Sequence, residues 1–539
     1  MEANQTPSPP APPRRSLARN AGLVGGATLV SRLLGLVREQ IFAALVGATA
    51  YADAFVVAFR IPNLLRDLFA EGALSAAFVP TFTDYLVNRS KAEAILLANR
   101  LINLVSVVIS LVLLVAFVFA VPLVHAMAPG FDPTKAVLTA HLTRLMLPFL
   151  LLLSIAAISG GMLTSQHHFL ETSLAPSAFN VVSILVGAGL YFAGVGPRAA
   201  VVGWAIATVL GGFMQMAVHG PPLWREGFRY RPILRGSLAD PGVRRILALM
   251  APSTLGLAGT QLNLFFNTVY ASKEAGAPAF LSYAFRLIQL PIGLFGVAIA
   301  TVAASSLAHR AASRDLAGLR DELSRGLRLV LFLTLPATTG LYAVALPTIR
   351  LLYQHGRFTP ADTVAVATSL RMYALGIFAF AAVKVIAPAF YALEKPRVAV
   401  VASLISVAAN IVVNGISYLT QPTETLHKWL PLGTAVTGLV NVVLLLAFFR
   451  GVGGSLDWRR LGAGFAKMSL AAALCGVAAL SAVAPLEHVF GVRSLLARVA
   501  TAFGPILLGA LVYAAVSALL HVEEIDAFRA ALARRLRRR

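Results

Sequence analysis

The feature that most limits what this chain can fold into is the recurrence, along nearly all of its 539 residues, of apolar runs bounded by Pro, Gly or charge. A helix crosses about 30 Å of hydrocarbon in about 20 residues, and a lipid-exposed backbone satisfies its polar groups only in helices or closed barrels. Fourteen runs have the necessary length, near 21–46, 51–85, 98–124, 136–165, 172–193, 198–219, 245–271, 277–308, 327–346, 364–392, 398–419, 430–449, 462–484 and 495–521. With 58% hydrophobic and 13% charged residues and a mean hydropathy of +0.78, the composition excludes an ordinary soluble domain. The expected fold class is an all-α polytopic membrane protein of about 14 transmembrane helices.

The net charge of +22 is explained by topology rather than by nucleic acid. If both termini lie on one side, the segments on that side hold 29 Lys and Arg and the opposite loops hold 7, and basic residues collect on the cytoplasmic face. The N- and C-termini are therefore expected in the cytoplasm. Residues 1–20, with five prolines followed by Arg14, Arg15 and Arg19, read as a disordered basic tail rather than a signal peptide. Cys475 is the only cysteine, so no intrachain disulfide forms, and neither a His-Glu-x-x-His pattern nor a phosphate loop is present. An ATPase or metalloenzyme is unsupported.

Sliding the chain on itself by 226 positions lays Ala58-Phe59-Arg60 on Ala284-Phe285-Arg286, and an offset of 227 lays Arg144 on Arg371. Shared arginines at membrane depth point to a repeat. The expected organisation is a tail over 1–20, an N-lobe of helices 1–6 over 21–219 and a basic linker over 220–244. A C-lobe of helices 7–12 over 245–449, two extra helices over 450–521 and a basic tail over 522–539 follow. Six helices per repeat give both lobes the same orientation, related by a pseudo-two-fold axis along the membrane normal.

Nine cationic residues fall inside the proposed spans: Arg32, Arg38, Arg60, Arg66, Arg144, Arg286, Arg371, Lys384 and Arg498. Placing a charge at a helix centre costs about 2.5–3.5 kcal/mol on insertion scales, so such groups face protein or a wet cavity. Arginine's planar fork binds phosphate bidentately and stays charged, which suits an anionic head group. The competing reading pairs these arginines with Glu39, Asp53, Asp67 or Glu71. Arg38 and Glu39 are adjacent and are expected to point apart. Arg498, near a helix end, is expected to snorkel, Arg144 and Arg371 to clamp the repeat, and Lys384 to be an ion-pair partner or a coupling site. Asn263, Asn267, Gln261 and Gln289 suit interhelical hydrogen bonds as well as ligand contact. The last two helices, apolar apart from Arg498, could hold a lipid tail or form a packing surface.

Ser31-Arg32 through Arg38-Glu39, Asp53-Ala54-Phe55, Pro62-Asn63-Leu64-Leu65-Arg66 and Phe69-Ala70-Glu71-Gly72 resemble the signature of the MurJ/MviN family. Tyr283-Ala284-Phe285-Arg286-Leu287, His355-Gly356-Arg357-Phe358-Thr359 and Lys384 through Tyr391 resemble it in the same order. The resemblance implies a flippase of the multidrug/oligosaccharidyl-lipid/polysaccharide exporter superfamily. Such a carrier moves undecaprenyl-pyrophosphate-linked peptidoglycan precursor, lipid II, across the bacterial inner membrane by alternating access. It implies that Arg32, Arg38, Arg66 and Arg286 line a central cavity, that Asp53 is also needed, and that helices 13 and 14 form a groove for the prenyl tail. Ser31, Glu39, Arg60, Glu71, Gln289 and Lys384 are secondary candidates. Gln289 and Ser305 depart from an acidic residue and a proline found in some members. The expected partners are lipid II, membrane lipids and cell-wall synthases, with no nucleic acid. No metal, cofactor or covalent chemistry is expected, and transport would couple to the membrane potential or an ion gradient. The rival readings are a flippase for another polyprenyl-linked saccharide, a cation-coupled drug exporter and a non-transporting scaffold that binds the precursor. A drug exporter should favour acidic cavity residues where this chain has arginine, and a scaffold would bind precursor without moving it.

Overall fold

The computed structural model describes residues 14–66 and 73–525, and among these the regular structure is entirely helical. The first half comprises α1 (Arg14–Val46), α2 (Ala50–Arg66), α3 (Ala73–Asn88), α4 (Lys91–Val118), α5 (Ala120–Met127), α6 (Pro133–Met146), α7 (Pro148–Ser165), α8 (Phe169–Phe192), α9 (Pro197–Ala217) and the short α10 (Gly220–Arg225). The second comprises α11 (Pro241–Ala271), α12 (Ala277–Pro291), α13 (Ala298–Ala312), α14 (Leu316–Ala343), α15 (Ala345–Tyr353), α16 (Pro360–Ala374), α17 (Ile377–Ala392), α18 (Pro396–Thr420) and α19 (Leu426–Val452). The chain continues through α20 (Trp458–Phe490) and α21 (Leu495–Leu519). Helix α1 begins inside the stretch expected to be a disordered tail; residues 1–13 and most of the C-terminal tail lie outside the described residues.

Helices α11 to α19 begin 225 to 229 residues after α1 to α9, in the same order. Side-chain chemistry repeats with them. The Arg144 guanidinium lies 5.3 Å from the centre of the Phe117 ring on α4, and Arg371 lies 5.9 Å from Tyr342 on α14. Each arginine thus covers an aromatic face of the corresponding neighbouring helix, an arrangement that holds a cation without a carboxylate.

Among the described residues, ten helical segments are long and apolar enough to cross a membrane, and eleven if the α16–α17 pair, bent by 41°, is one crossing. These are ten or eleven of the fourteen crossings expected from the sequence.

Two compact units divide the helices. The first contains residues 1–42, 58–120 and 140–257; the second contains 43–57, 121–139 and 258–539. The first is cored by Leu74, Phe78, Phe82, Leu97, Leu101, Ile158 and Met162, from α3, α4 and α7. The second is cored by Leu319, Leu323, Val385, Ile386, Phe390, Leu445 and Phe449, from α14, α17 and α19.

Within the first unit the basic linker is strapped to α4. Asn99 Nδ2 donates to the Arg229 carbonyl at 3.1 Å while its Oδ1 accepts from Arg231 N–H at 2.7 Å, and Asn103 Nδ2 donates to the Arg231 carbonyl at 2.8 Å. Arg100 and Asp240 form an ion pair at 2.5 Å. Beside this strap, His168 at the start of α8 lies 3.2 Å from both Glu226 and Glu171, and Glu226 pairs with Lys91 at 2.9 Å.

In the second unit, α20 and α21 are fixed at both ends and in the middle. Arg328 of α14 pairs with Glu523 at 2.6 Å and Glu524 at 2.5 Å, and Arg460 of α20 joins Glu523 at 2.7 Å. Tyr513 donates to the Phe332 carbonyl at 2.8 Å. Farther along, Arg350 pairs with Glu487. Arg498 does not simply snorkel: it donates to the Gln354 carbonyl at 2.9 Å and the Val492 carbonyl at 3.0 Å, because unsatisfied carbonyls at a helix end are within its reach. The Arg460 and Arg328 guanidiniums hold the Glu523 carboxyl down at about 2.

The His168 cluster gives a pH prediction. Hydrogen bonding to Glu226, then to Glu171, raises its pKa above the ordinary 6.5 despite partial burial. A raised pKa contributes stability that is complete below the ordinary value and is lost as pH rises through the shifted one. Hydrogen-exchange protection across 165–172 and 220–226, corrected for the intrinsic pH dependence of exchange, should therefore fall as pH rises through the raised pKa of His168, and His168→Gln should remove that fall. An identical pH profile in parent and variant would eliminate this role.

Candidate functional site

The arginine-bearing helices are long and apolar, so their cations depend on protein or wet surroundings. In the first unit, α1 presents Arg32 as an exposed side chain that forms no ion pair among the described residues. The adjacent Ser31 carbonyl accepts from Asn180 Nδ2 of α8 at 3.0 Å. Arg38 pairs with Glu39 at 2.6 Å, the two side chains being 17% and 15% exposed. This corrects the expectation that adjacent residues point apart: Cβ directions diverge, but the long arginine stem lets the guanidinium reach the neighbouring carboxylate. The same guanidinium lies 5.1 Å from the centre of the Phe179 ring. Arg60 and Arg66 are half-buried on α2 around Pro62, which interrupts the helix hydrogen-bond ladder. Asp67 and Glu71, the expected partners of Arg66, lie outside the described residues.

In the second unit, Arg286 and Gln289 are exposed on α12, which ends at Pro291 and passes into a π-helical turn over Ile292–Val297. Lys384 is exposed on α17 and forms no ion pair among the described residues. Asn267 donates to Asn263 at 2.6 Å, Asn414 to Asn267 at 2.8 Å, and Asn410 to Thr437 at 2.9 Å. The polar side chains of α11 thus join a hydrogen-bonded file to α18 and α19.

Asp53 has a different setting from the arginines. It has no exposed surface. Its carboxylate accepts from Lys135 Nζ at 2.6 Å and from the backbone N–H groups of Gly276 at 2.8 Å and Ala279 at 3.0 Å. It caps the positive N-terminal end of α12 while pairing with the cation at the start of α6. Four groups reinforce the same clamp. Arg357 donates its N–H to the Ala44 carbonyl at 2.9 Å and its guanidinium to the Leu45 carbonyl at 2.7 Å, covering the C-terminal end of α1. Tyr283 donates to the Gly47 carbonyl at 3.0 Å. Glu274 accepts from the N–H of His427 at 2.7 Å and lies 2.6 Å from its Nδ1. Gly47 and Gly356 have positive φ of 68° and 58°, and a Cβ on Gly47 would stand 2.6 Å from the Arg357 carbonyl oxygen. The chain segments can approach this closely because both positions are glycine. Lys135, Arg357 and the Glu274–His427 pair are the residues sequence reasoning did not identify as a group. Asp132 followed by Pro133 signalled the start of α6, but nothing local signalled that Lys135 would meet a carboxylate 82 positions earlier.

A cavity of about 320 Å³ also lies within the first unit, between α3, α7, α8 and the end of α9, lined by Ser75, Thr164, Thr172, Gln215 and His219 among smaller residues. Among the described residues, no arginine lines it.

Lysine 135 gives a direct test of the clamp. Lys135→Met leaves a buried carboxylate without its cation, and breaking a buried pair costs about 3–5 kcal/mol. A large fall in melting temperature is expected for Lys135→Met, and a smaller one when Asp53→Asn is added. Equal losses in the single and double variants would remove the ion pair from the account.

The sequence model of the family described as Lipid II flippase MurJ matches residues 42–501. A probable lipid II flippase MurJ of Rhizobium meliloti (strain 1021) is 35% identical over 450 residues, covering 82% of this chain and 81% of the relative. A lipid II flippase MurJ of Burkholderia cenocepacia is 32% identical over 434 residues, covering 79% and 82%. Among solved structures, a lipid II flippase MurJ in an inward closed conformation gives a TM-score of 0.76 at 23% identity, covering 93% of this chain and 99% of that one. An inward-facing multidrug resistance MATE family transporter gives 0.63 at 15% identity, covering 80% and 98%. These last two similarities establish a shared fold.

Proposed function

The chain belongs to the lipid II flippase MurJ family, and we propose that it carries lipid II from the inner to the outer leaflet of the bacterial inner membrane by alternating access. The observation that carries this reading is the family match over residues 42–501, which includes Arg66 and Arg286 and the segments around them. Arg32, Arg38 and Arg66 in the first unit, and Arg286 in the second, serve as phosphate ligands. A pyrophosphate presents several anionic oxygens, and a guanidinium meets two of them at once without ever losing its charge. Arg60, Ser31, Glu39, Gln289 and Lys384 tune that head-group chemistry. Asp53 acts through the clamp rather than by touching an anion, since its carboxylate is buried and already bonded to Lys135, Gly276 and Ala279. The helices α20 and α21 carry the prenyl tail.

No bond in the substrate is made or broken, and no cofactor enters the cycle. The membrane potential or an ion gradient supplies the bias, and cell-wall synthases use the delivered precursor. Both termini lie in the cytoplasm, a reading supported by the 29 against 7 basic residues in the opposing sets of loops.

The decisive experiment is growth on depletion of a host's own lipid II flippase, accompanied by reconstitution with labelled lipid II. Arg32→Ala, Arg66→Ala and Arg286→Ala should each abolish complementation at unchanged protein level, since hydrogen bonds to charged groups contribute about 1.5–3 kcal/mol each. Lysine at these positions should restore growth only in part, as it lacks the bidentate fork. Normal growth of all three alanine variants at native expression would remove these residues from the site.

Orientation is tested separately in a Cys475→Ser background. A cysteine replacing exposed Glu424 should react with an impermeant maleimide added to intact cells, and one replacing exposed Asn88 should react only after permeabilisation. The reverse pattern would invert the topology and the direction of transport.

A further inference from the structure

We propose that Phe179 of α8 is a positioning residue for phosphate binding, its ring face holding the Arg38 guanidinium ready for the anion. This rests on the reading of Arg38 as a phosphate ligand. The guanidinium carbon lies 5.1 Å from the Phe179 ring centre, within the range of a cation–π contact. Glu39 also holds Arg38, but a carboxylate occupies the N–H donors that a phosphate needs. A ring engages the face of the planar group rather than its N–H edge. Phe179 is therefore the support that can stay in place while the anion binds and Glu39 is displaced.

The ring belongs to a file that reaches α2, the helix of Arg60 and Arg66. Phe179 and Phe149 of α7 have centroids 5.7 Å apart at 46°, and Phe149 and Phe59 of α2 are 5.7 Å apart at 45°. Phe59 directly precedes Arg60. Two adjacent glycines of α9 seat the file. A Cβ on Gly211 would stand 2.6 Å from Phe179 Cδ2 and 3.1 Å from the Phe179 carbonyl oxygen, and a Cβ on Gly212 would stand 2.7 Å from Phe149 Cδ2. Because the carbonyl at residue 179 is backbone, rotating the ring alone cannot make room at 211. Next in sequence, buried Asn180 ties α8 to α1 through the Ser31 carbonyl. Consecutive residues of α8 thus hold α1 at two points, one beside Arg32 and one at Arg38.

The test is a series at position 179 of phenylalanine with none, one, two and three ring fluorines, which nearly preserves shape while draining the negative ring face. The full chain in lipid nanodiscs is titrated with labelled lipid II. Affinity should weaken stepwise with fluorine number, by about two- to fivefold over the series, with melting temperature unchanged. In the same samples, the rate of phenylglyoxal modification at Arg38, read by peptide mass spectrometry without substrate, should rise stepwise. Flat binding and flat modification in a parent that binds lipid II would overturn the role of the ring and leave the transport reading intact. Affinity falling in step with melting temperature would reduce Phe179 to packing and also overturn it. A parent that fails to bind lipid II, with modification still tracking fluorine number, would overturn the phosphate-site reading and the positioning role with it, leaving only an arginine–ring contact.

Discussion

Hydrocarbon solvates neither a charge nor an unpaired backbone group, and this constraint shapes how the buried charges and helix ends among the described residues are partnered. The consequences are clearest at Asp53. A carboxylate without exposed surface is tolerable there because a lysine and two N–H groups of a helix N-terminus surround it. Those partners are also the starts of α6 and α12, so satisfying one anion brings three helix ends together. Arg357 does the complementary work at the end of α1, where free carbonyls need donors. Helix termini and buried charges are thus solved as one problem. Any motion that opens these helix ends must replace several hydrogen bonds at once, which favours two discrete arrangements over a continuum.

The repeat follows from the same constraint. Arg144 and Arg371 rest on aromatic faces contributed by α4 and α14, helices that themselves correspond. An arginine on a ring remains charged without requiring an acidic partner, and the described contact survives the change from Phe117 to Tyr342. Conserving this contact through duplication needs only a flat aromatic on the neighbouring helix. The spacing of corresponding helices meanwhile varies from 225 to 229 residues.

The helical class and the repeat were legible because each rests on local pattern: apolar length and a recurring Ala-Phe-Arg. Partnership was less legible. Arg38 and Glu39 meet because long side chains bend, which a rule about Cβ directions omits. Asp53 reads in sequence as one more acidic residue near arginines, yet its partners come from positions 135, 276 and 279. The HGRF segment carried family resemblance without a visible task, and its task depends on Gly356 and Arg357 meeting the end of α1. Phe179 gave no signal at all, because a phenylalanine in an apolar helix is what lipid or a core also selects. Long-range pairing is set by tertiary geometry, and no spacing rule within a helix encodes it.

The appended helices make the last point about how charge organises apolar structure. Helices α20 and α21 have no counterpart in the repeat, and their outer faces expose Leu496, Phe503, Leu507 and Leu511. Apolar packing alone would let such a pair slide or rotate, since in hydrocarbon one leucine surface is nearly as good as another. Directional contacts remove that freedom. Arg328, Arg460, Glu523 and Glu524 close one end, Arg350, Glu487 and Arg498 close the other, and Tyr513 bonds the middle to α14. The pair is therefore registered to α14 and α15 along its length. The exposed apolar surface of α21 therefore belongs to the second unit, as Arg286 does.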